Sequence, residues 1–236
     1  HEEIAAFNAT GGSHRRGIGI GCMWYGIGNT SMSNPSRMRV ALSADGTLTL
    51  YNGAVDIGQG SNTIMTQIAA DALGLPAAQF TLVQGDTDLT ADAGKTSASR
   101  QTFVSGRAAE GAGRDLRQQI LRLANAGPDA VLSLDGAELT VRDGAEVRTI
   151  DLATTGVLMG EGTFDPPTTP LDANGQGIPY ATYAFAAQMA EVEVDIAAGT
   201  QFEVGRRQGG HADVDEAGVL QALVFFDGVE DVPVAV

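Results

Sequence analysis

Arg37-Met38-Arg39-Val40-Ala41-Leu42-Ser43-Ala44-Asp45-Gly46-Thr47-Leu48-Thr49-Leu50-Tyr51 decides the fold class. Arg37–Leu42 and Thr47–Tyr51 both alternate apolar and polar residues, and Asp-Gly between such runs predicts a β-hairpin. Reading onward, Ser61 is placed as a helix N-cap. Ile64, Ile68, Ala72 and Met65, Ala69, Leu73 then keep helical spacing, and Gly74 followed by Pro76 ends the helix. Phe80–Gln84 reads as a strand. A second helix is expected from near Thr102 to about Ala126, with Val104, Ala108, Ala112, Leu116, Ile120 and Leu123 apolar and Gly127-Pro128 as its stop. Strand, strand, helix, strand, helix and then more strands predict an α+β chain, a two-layer α/β lobe with mixed β-sheets.

Upstream of the hairpin, glycines alternate with Ile over Gly17–Gly21, and the stretch Gly17–Gly28 suits an extended strand approached closely by a neighbour, or simply a flexible one. Downstream, Val131–Leu134, Leu139–Val141 and Val147–Leu152 are short strands separated by Asp135-Gly136 and Asp143-Gly144. A Pro-rich loop, Asp165–Pro170, leads to Tyr180–Ala187 and Met189–Val194, expected as paired strands before a turn at Asp195–Gly199. Residues 200–236 carry no clear periodicity, and no repeat of fixed length is visible. The expected organisation is a first α/β part over 1–128, a strand-rich part over 129–199 and a divergent tail over 200–236.

The 236 residues allow one large domain or two small ones, and a hydrophobic fraction of 43% argues against global disorder. A net charge of −15 disfavours nucleic acid and anionic membrane surfaces, which need clustered Lys and Arg. No apolar run approaches the length of a membrane span. Cys22 is the only cysteine, which excludes an internal disulfide, a multi-cysteine zinc site and an iron–sulfur cluster held by this chain alone. The start, His1-Glu2-Glu3-Ile4, does not resemble a signal peptide, and its lack of Met suggests a mature, trimmed or incomplete chain. Cytoplasm is the default location.

Two segments are candidates for chemistry. Asp56-Ile57-Gly58-Gln59-Gly60-Ser61-Asn62-Thr63 is a Gly-flanked Gln at a helix start, where unpaired N–H groups attract anions or carbonyl oxygens. Gly94-Lys95-Thr96-Ser97-Ala98-Ser99-Arg100-Gln101-Thr102 is a second helix start, rich in small donors. Gly-Lys-Thr evokes a phosphate loop, but Leu89 stands where the Walker pattern needs Gly. Ordinary capped turns explain the same residues. His1, His14 and His211 lack metal-like spacing, the Asp86, Asp88, Asp92 loop lacks the Gly and Glu of a calcium loop, and Glu161 is read as a surface residue in a Gly turn.

Four stretches in order, Gly19–Gly26, Asp56–Thr63, Ala91–Thr102 and Tyr180–Tyr183, resemble the molybdenum-binding part of the xanthine oxidase family, with the strongest likeness to bacterial aldehyde oxidoreductases. The likeness runs from about Phe7 to Asp195. It implies the fold of that family's cofactor-binding domain. It also implies oxidation of aldehydes to carboxylic acids with water-derived oxygen, on molybdenum held by molybdopterin cytosine dinucleotide. By position, Gly58, Gln59, Gly60 and Ser61 match the segment at the molybdenum and pterin end. Ala98 matches the small residue beside the metal, and Ser97, Ser99, Arg100, Gln101 and Thr102 match the loop that hydrogen-bonds pterin and dinucleotide. The Trp24–Thr30 stretch matches the substrate funnel.

The family's catalytic Glu, in Gly-x-Lys-Gly-x-Gly-Glu, has no counterpart here, so no catalytic residue and no metal-ligating side chain is assigned. The expected partners are the remaining molybdopterin lobe and a domain or subunit carrying 2Fe–2S clusters, and the chain is expected to be inactive alone. The alternative is a non-catalytic binding or interaction module that keeps this fold.

Overall fold

The computed structural model describes residues 1–211, with 201–211 described by backbone alone. Two compact units are present: Gly26–Thr182, and His1–Tyr25 with the described residues from Tyr183 onward.

The larger unit is built on the expected hairpin. Strands β2 (Ser36–Leu42) and β3 (Leu48–Asn52) pair antiparallel, with Val40 opposite Leu50. Strand β4 (Phe80–Gln84) joins β3 in parallel after helix α2 (Ser61–Leu73), and β8 (Leu158–Phe164) closes the other side antiparallel to β2. The order β4-β3-β2-β8 is thus the mixed sheet of a two-layer lobe. Helix α3 (Gly106–Ala124) and α2 cover it. Met38, Val40, Leu42, Leu48 and Leu50 meet Met65, Ala69 and Leu73 of α2 and Ala108, Ala112, Leu116 and Ile120 of α3 in one core. The three short strands are β5 (Val131–Asp135), β6 (Glu138–Asp143) and β7 (Glu146–Asp151), an antiparallel meander whose Leu132, Leu134, Leu139 and Val141 join that core. A one-turn helix, Leu152–Thr155, leads into β8.

Several expectations need correction. The second helix opens with one π-helical turn, Gln101–Ser105, before α3 begins. It stops at Asn125, whose left-handed φ of 48° ends the helix two residues before Gly127. Leu123 is exposed, and Leu121 and Ala124 take its place in the core. Glu161 is not in a turn: it lies in mid-β8, opposite Arg39, with its side chain in solvent. The glycines around it serve packing. A Cβ on Gly160 would lie 2.2 Å from Ala112 O and one on Gly162 2.0 Å from Ala108 O, so α3 rests on bare backbone of β8.

In the smaller unit, helix α1 (Glu2–Asn8) precedes β1 (His14–Gly26), the Gly-rich strand. The strands expected over Tyr180–Ala187 and Met189–Val194 are one continuous strand, β9 (Tyr183–Asp195). Its partner is β10 (Thr200–His211), across the turn expected at Asp195–Gly199, and the sheet order is β1-β9-β10. Residues 200–211, placed in the unreadable tail, therefore form a strand; the rest of that tail, 212–236, lies outside the described residues. Asn8 exchanges two hydrogen bonds with the Arg16 backbone. The Arg16 guanidinium lies 4.2 Å from the Phe7 ring centroid. Glu193 accepts from Arg16 Nε at 2.9 Å and meets His14 Nδ1 at 2.7 Å, and these two contacts hold its carboxyl below the usual range.

No helix among the described residues is long and apolar enough to cross a membrane.

Candidate functional site

The first loop joins β3 to α2. The N-cap position of α2 is Gly60, not Ser61, and Asp56 folds over the helix start from outside it: Asp56 Oδ1 accepts from Gly58 N at 2.8 Å and Gly60 N at 3.4 Å, and Oδ2 accepts from Asn62 N at 3.1 Å. The N–H groups of Gly58, then Asn62, then Gly60 hold its carboxyl below the ordinary value against the pull of burial. Gly58 and Gly60 have φ of 105° and 81°, and nothing lies within 4 Å of a Cβ built on either. The Gln59 amide folds back onto its own loop, donating to Val55 O at 3.1 Å and accepting from Ile57 N at 2.6 Å. The buried Ser61 points its hydroxyl to Val55 O at 3.4 Å. Val55 and Ile57 are exposed apolar residues on the same loop.

The second loop leads into the π-helical turn. Lys95, the only lysine in the sequence, and Ser97 are exposed, while Ala98 and Ser99 are half-buried. Ala98 and Ser99 both have left-handed φ, 54° and 50°, which is costly for residues with a side chain. Beneath them Arg100 is 1% exposed. Its Nε donates to Asn34 Oδ1 at 3.0 Å. Nη1 donates to Ala93 O at 2.6 Å and Lys95 O at 3.1 Å. Nη2 donates to Asn34 O at 2.6 Å and Pro35 O at 2.9 Å. Burial lowers the pKa of this guanidinium, while Asp92 and Asp165 pull it back up. The buried Gln101 donates from Nε2 to Lys95 O and to Thr96 Oγ1, both at 3.1 Å, and accepts from Ser105 Oγ. Ser105 Oγ in turn meets Ser36 Oγ at 2.8 Å.

The two loops touch: Val55 N donates to Thr96 Oγ1 at 3.1 Å. A third segment, Ile27–Asn34, joins them through Gly28 N, which donates to Ala98 O at 3.0 Å. Asp165 anchors that segment by accepting from Ser33 Oγ at 2.5 Å and Asn34 N at 2.8 Å. Gly58, Gln59 and Gly60 thus lie on one of two joined loops, with Ser61 opening α2 behind it, and Ser97, Ala98, Ser99 and Arg100 on the other, with Gln101 and Thr102 in the π-helical turn that follows. Arg100 and Gln101 direct their side chains inward to the loop backbone.

Sequence reasoning missed Asp56, Asn34, Ser36 and Ser105. Asp56 had a signal, since Asp-x-Gly-x-Gly lets a carboxylate reach several following N–H groups. The other three act over long sequence separations and carried none. Elsewhere the acidic loop is a local turn, with Asp86 Oδ1 accepting from Asp88 N and Leu89 N. Among the described residues, no group of three or more His, Cys, Asp or Glu is placed to hold a metal.

Chemically, the joined loops offer the hydroxyls of Ser97 and Ser99, one exposed ammonium and open glycine backbone, flanked by exposed apolar side chains. This donor set suits a large ligand that combines anionic groups with a flat, hydrogen-bonding heterocycle.

A family model described as a molybdopterin cofactor-binding domain matches residues 1–204. The chain is 33% identical over 116 residues to a xanthine dehydrogenase molybdenum-binding subunit of Escherichia coli O157:H7, a match covering 47% of this chain and 15% of that protein. It is 27% identical over 198 residues to a xanthine dehydrogenase of Oryza sativa subsp. japonica, covering 83% of this chain and 14% of the relative. Among solved structures, it resembles the aldehyde oxidoreductase from Desulfovibrio desulfuricans with a TM-score of 0.67 at 26% identity, covering 89% of this chain and 22% of the other.

Proposed function

Because the chain belongs to the molybdopterin cofactor-binding domain family of xanthine-oxidase-type enzymes, we propose that its two joined loops form one wall of a molybdenum cofactor site. The proposed cofactor is the cytosine dinucleotide form, and the proposed substrate class is aldehydes, oxidised to carboxylic acids. The observation that carries this reading is the Val55 N to Thr96 Oγ1 contact, which sets the open glycine backbone beside the hydroxyl-rich loop.

Gly58, Gln59, Gly60 and Ser61 would hold the group from one side, and Ser97, Ala98, Ser99 and Thr102 from the other. When bound, the molybdenum centre supplies the two-electron oxidation that adds water-derived oxygen to the substrate carbon. This chain's own work is binding and orientation. Glycine backbone at Gly58 and Gly60 permits close approach, hydroxyls of Ser97 and Ser99 donate to ring edges and phosphate oxygens, and Lys95 offsets negative charge. For Gln59 to contact the group, its amide must release Val55 O and Ile57 N.

The chain spans 15% and 14% of the two relatives described above, so the catalytic Glu, the rest of the pocket and the iron–sulfur relay are proposed to be supplied from outside it. Alone it is expected to turn over no aldehyde. The test is to express it in cells that make molybdopterin, with and without candidate partner subunits, then measure molybdenum by mass spectrometry and aldehyde-dependent dye reduction. Molybdenum retained in the assembled complex, reduced by Gln59→Ala, is the expected result. Absence of molybdenum from that complex overturns the reading, and turnover by the chain alone overturns its dependence on partners.

A further inference from the structure

Arg100 is matched to its surroundings donor by donor. A guanidinium has five N–H groups, and five acceptors receive them: Asn34 Oδ1, Asn34 O, Pro35 O, Ala93 O and Lys95 O. None of its N–H groups is left for a ligand. No carboxylate among the described residues lies within ion-pair distance of it, so the buried charge is held by carbonyl dipoles and one side-chain amide. A lysine, with three donors and no planar fork, could not repeat this pattern.

We propose that Arg100, assisted by Gln101, is a positioning residue that shapes the ligand-facing side of the Gly94–Ser99 loop through the carbonyls of Ala93 and Lys95 on either side of Gly94, without touching the ligand. The geometry follows from the planar trans peptide, in which the N–H of one residue points opposite to the C=O before it. Arg100 and Gln101 both draw Lys95 O inward, which turns Thr96 N–H outward. Ala98 and Ser99 are held in left-handed conformations, which persist only where the surroundings over-determine them. Gly94 is the matching cut-out: its φ is 71°, and a Cβ there would lie 2.6 Å from Arg100 Nη1 and 2.7 Å from Nη2. Asn34 ties the same guanidinium to the segment whose Gly28 N–H holds Ala98 O.

This inference rests on the cofactor reading only for the identity of the ligand that the loop serves. The clamp itself can be tested without cofactor. Because Lys95 is the only lysine, a lysine-specific endopeptidase has one site in the whole chain, the Lys95–Thr96 bond. That bond's carbonyl is the one both side chains hold. In the folded chain, Arg100→Met and Gly94→Ala are each expected to raise the cleavage rate about tenfold or more, through local opening rather than global unfolding. Because both act on one clamp, the double variant is expected to cleave no faster than the single ones. Asn34→Ala loses one of the five acceptors and is expected to raise the rate by a smaller factor; it decides the matter if Arg100→Met does not fold. Thermal unfolding followed in parallel separates local opening from loss of the fold.

Unchanged cleavage in folded variants overturns the proposal, and does so most pointedly if molybdenum is lost at the same time, since Arg100 would then be a direct contact. Molybdenum content of the wild-type complex decides the cofactor reading separately: its absence there, with cleavage accelerated in the variants, leaves the clamp standing and removes the ligand.

Discussion

The loops Asp56–Ser61 and Gly94–Gln101 look alike in sequence, both rich in small residues and both opening a helix, yet they are built on opposite charges. The first wraps N–H groups around a carboxylate: Asp56 takes those of Gly58, Gly60 and Asn62. The second is fastened around a cation, Arg100, which takes Ala93 O and Lys95 O at the start of the loop and Asn34 O and Pro35 O from the neighbouring segment. A helix start that has already folded an acidic side chain over its N–H groups has spent much of its attraction for an external anion. Where a carbonyl of the second loop is drawn inward, as at Lys95, the next N–H is presented outward. Negative charge on a ligand is therefore better served by the second loop, and the first is better suited to close contact along its glycine backbone.

The contrast can be broken from the larger side first. Arg100→Met takes the guanidinium from five acceptors, of which those of Asn34 and Ala93 lie on buried residues and Lys95 O keeps Gln101, and is expected to destabilise the larger unit by about 3 kcal/mol or more, measured by urea unfolding. A loss below about 1 kcal/mol would mean that the loop relaxes freely and that the two loops differ little. Gln101→Leu keeps Arg100 in place but removes the bonds to Lys95 O, Thr96 Oγ1 and Ser105. About 1–2 kcal/mol is expected in the same measurement. The smallest effect is at Asp56. Its folded pKa lies below the ordinary 3.8, so its stabilising contribution is present above that value and fades as pH falls through the folded pKa. Asp56→Asn should lower the thermal midpoint near neutral pH, and the difference from wild type should shrink steadily in acid below about pH 4. A gap that stays constant across that range would remove Asp56 as the source of that contribution.

How much of this was legible in the sequence depended on distance along the chain. The hairpin, α2 with its Gly74 stop, β4 and the β5–β7 meander all follow from periods and turn residues a few positions apart. So does the identity of the two loops, since both announce themselves as glycine and hydroxyl clusters. What failed needed a partner far away. Gly160 and Gly162 look like a turn around Glu161 until α3 is laid on them, and Tyr183–Asp195 looks like two strands until one neighbour strand runs along it from Phe185 to Asp195. Arg100 looked like a ligand donor because local pattern cannot show that Asn34 and Pro35, before β2, already occupy three of its N–H groups.

The seat of α3 on β8 also sets how the chain can vary. At Gly160 and Gly162 even a methyl group would collide with the helix backbone at Ala112 and Ala108, whereas Glu161 between them faces solvent and binds only loosely to Arg39, 3.7 Å away. Saturating these three codons and selecting for folded protein should return glycine, then almost any residue, then glycine. That stripe of intolerance would map the footprint of the helix onto the strand by genetics alone.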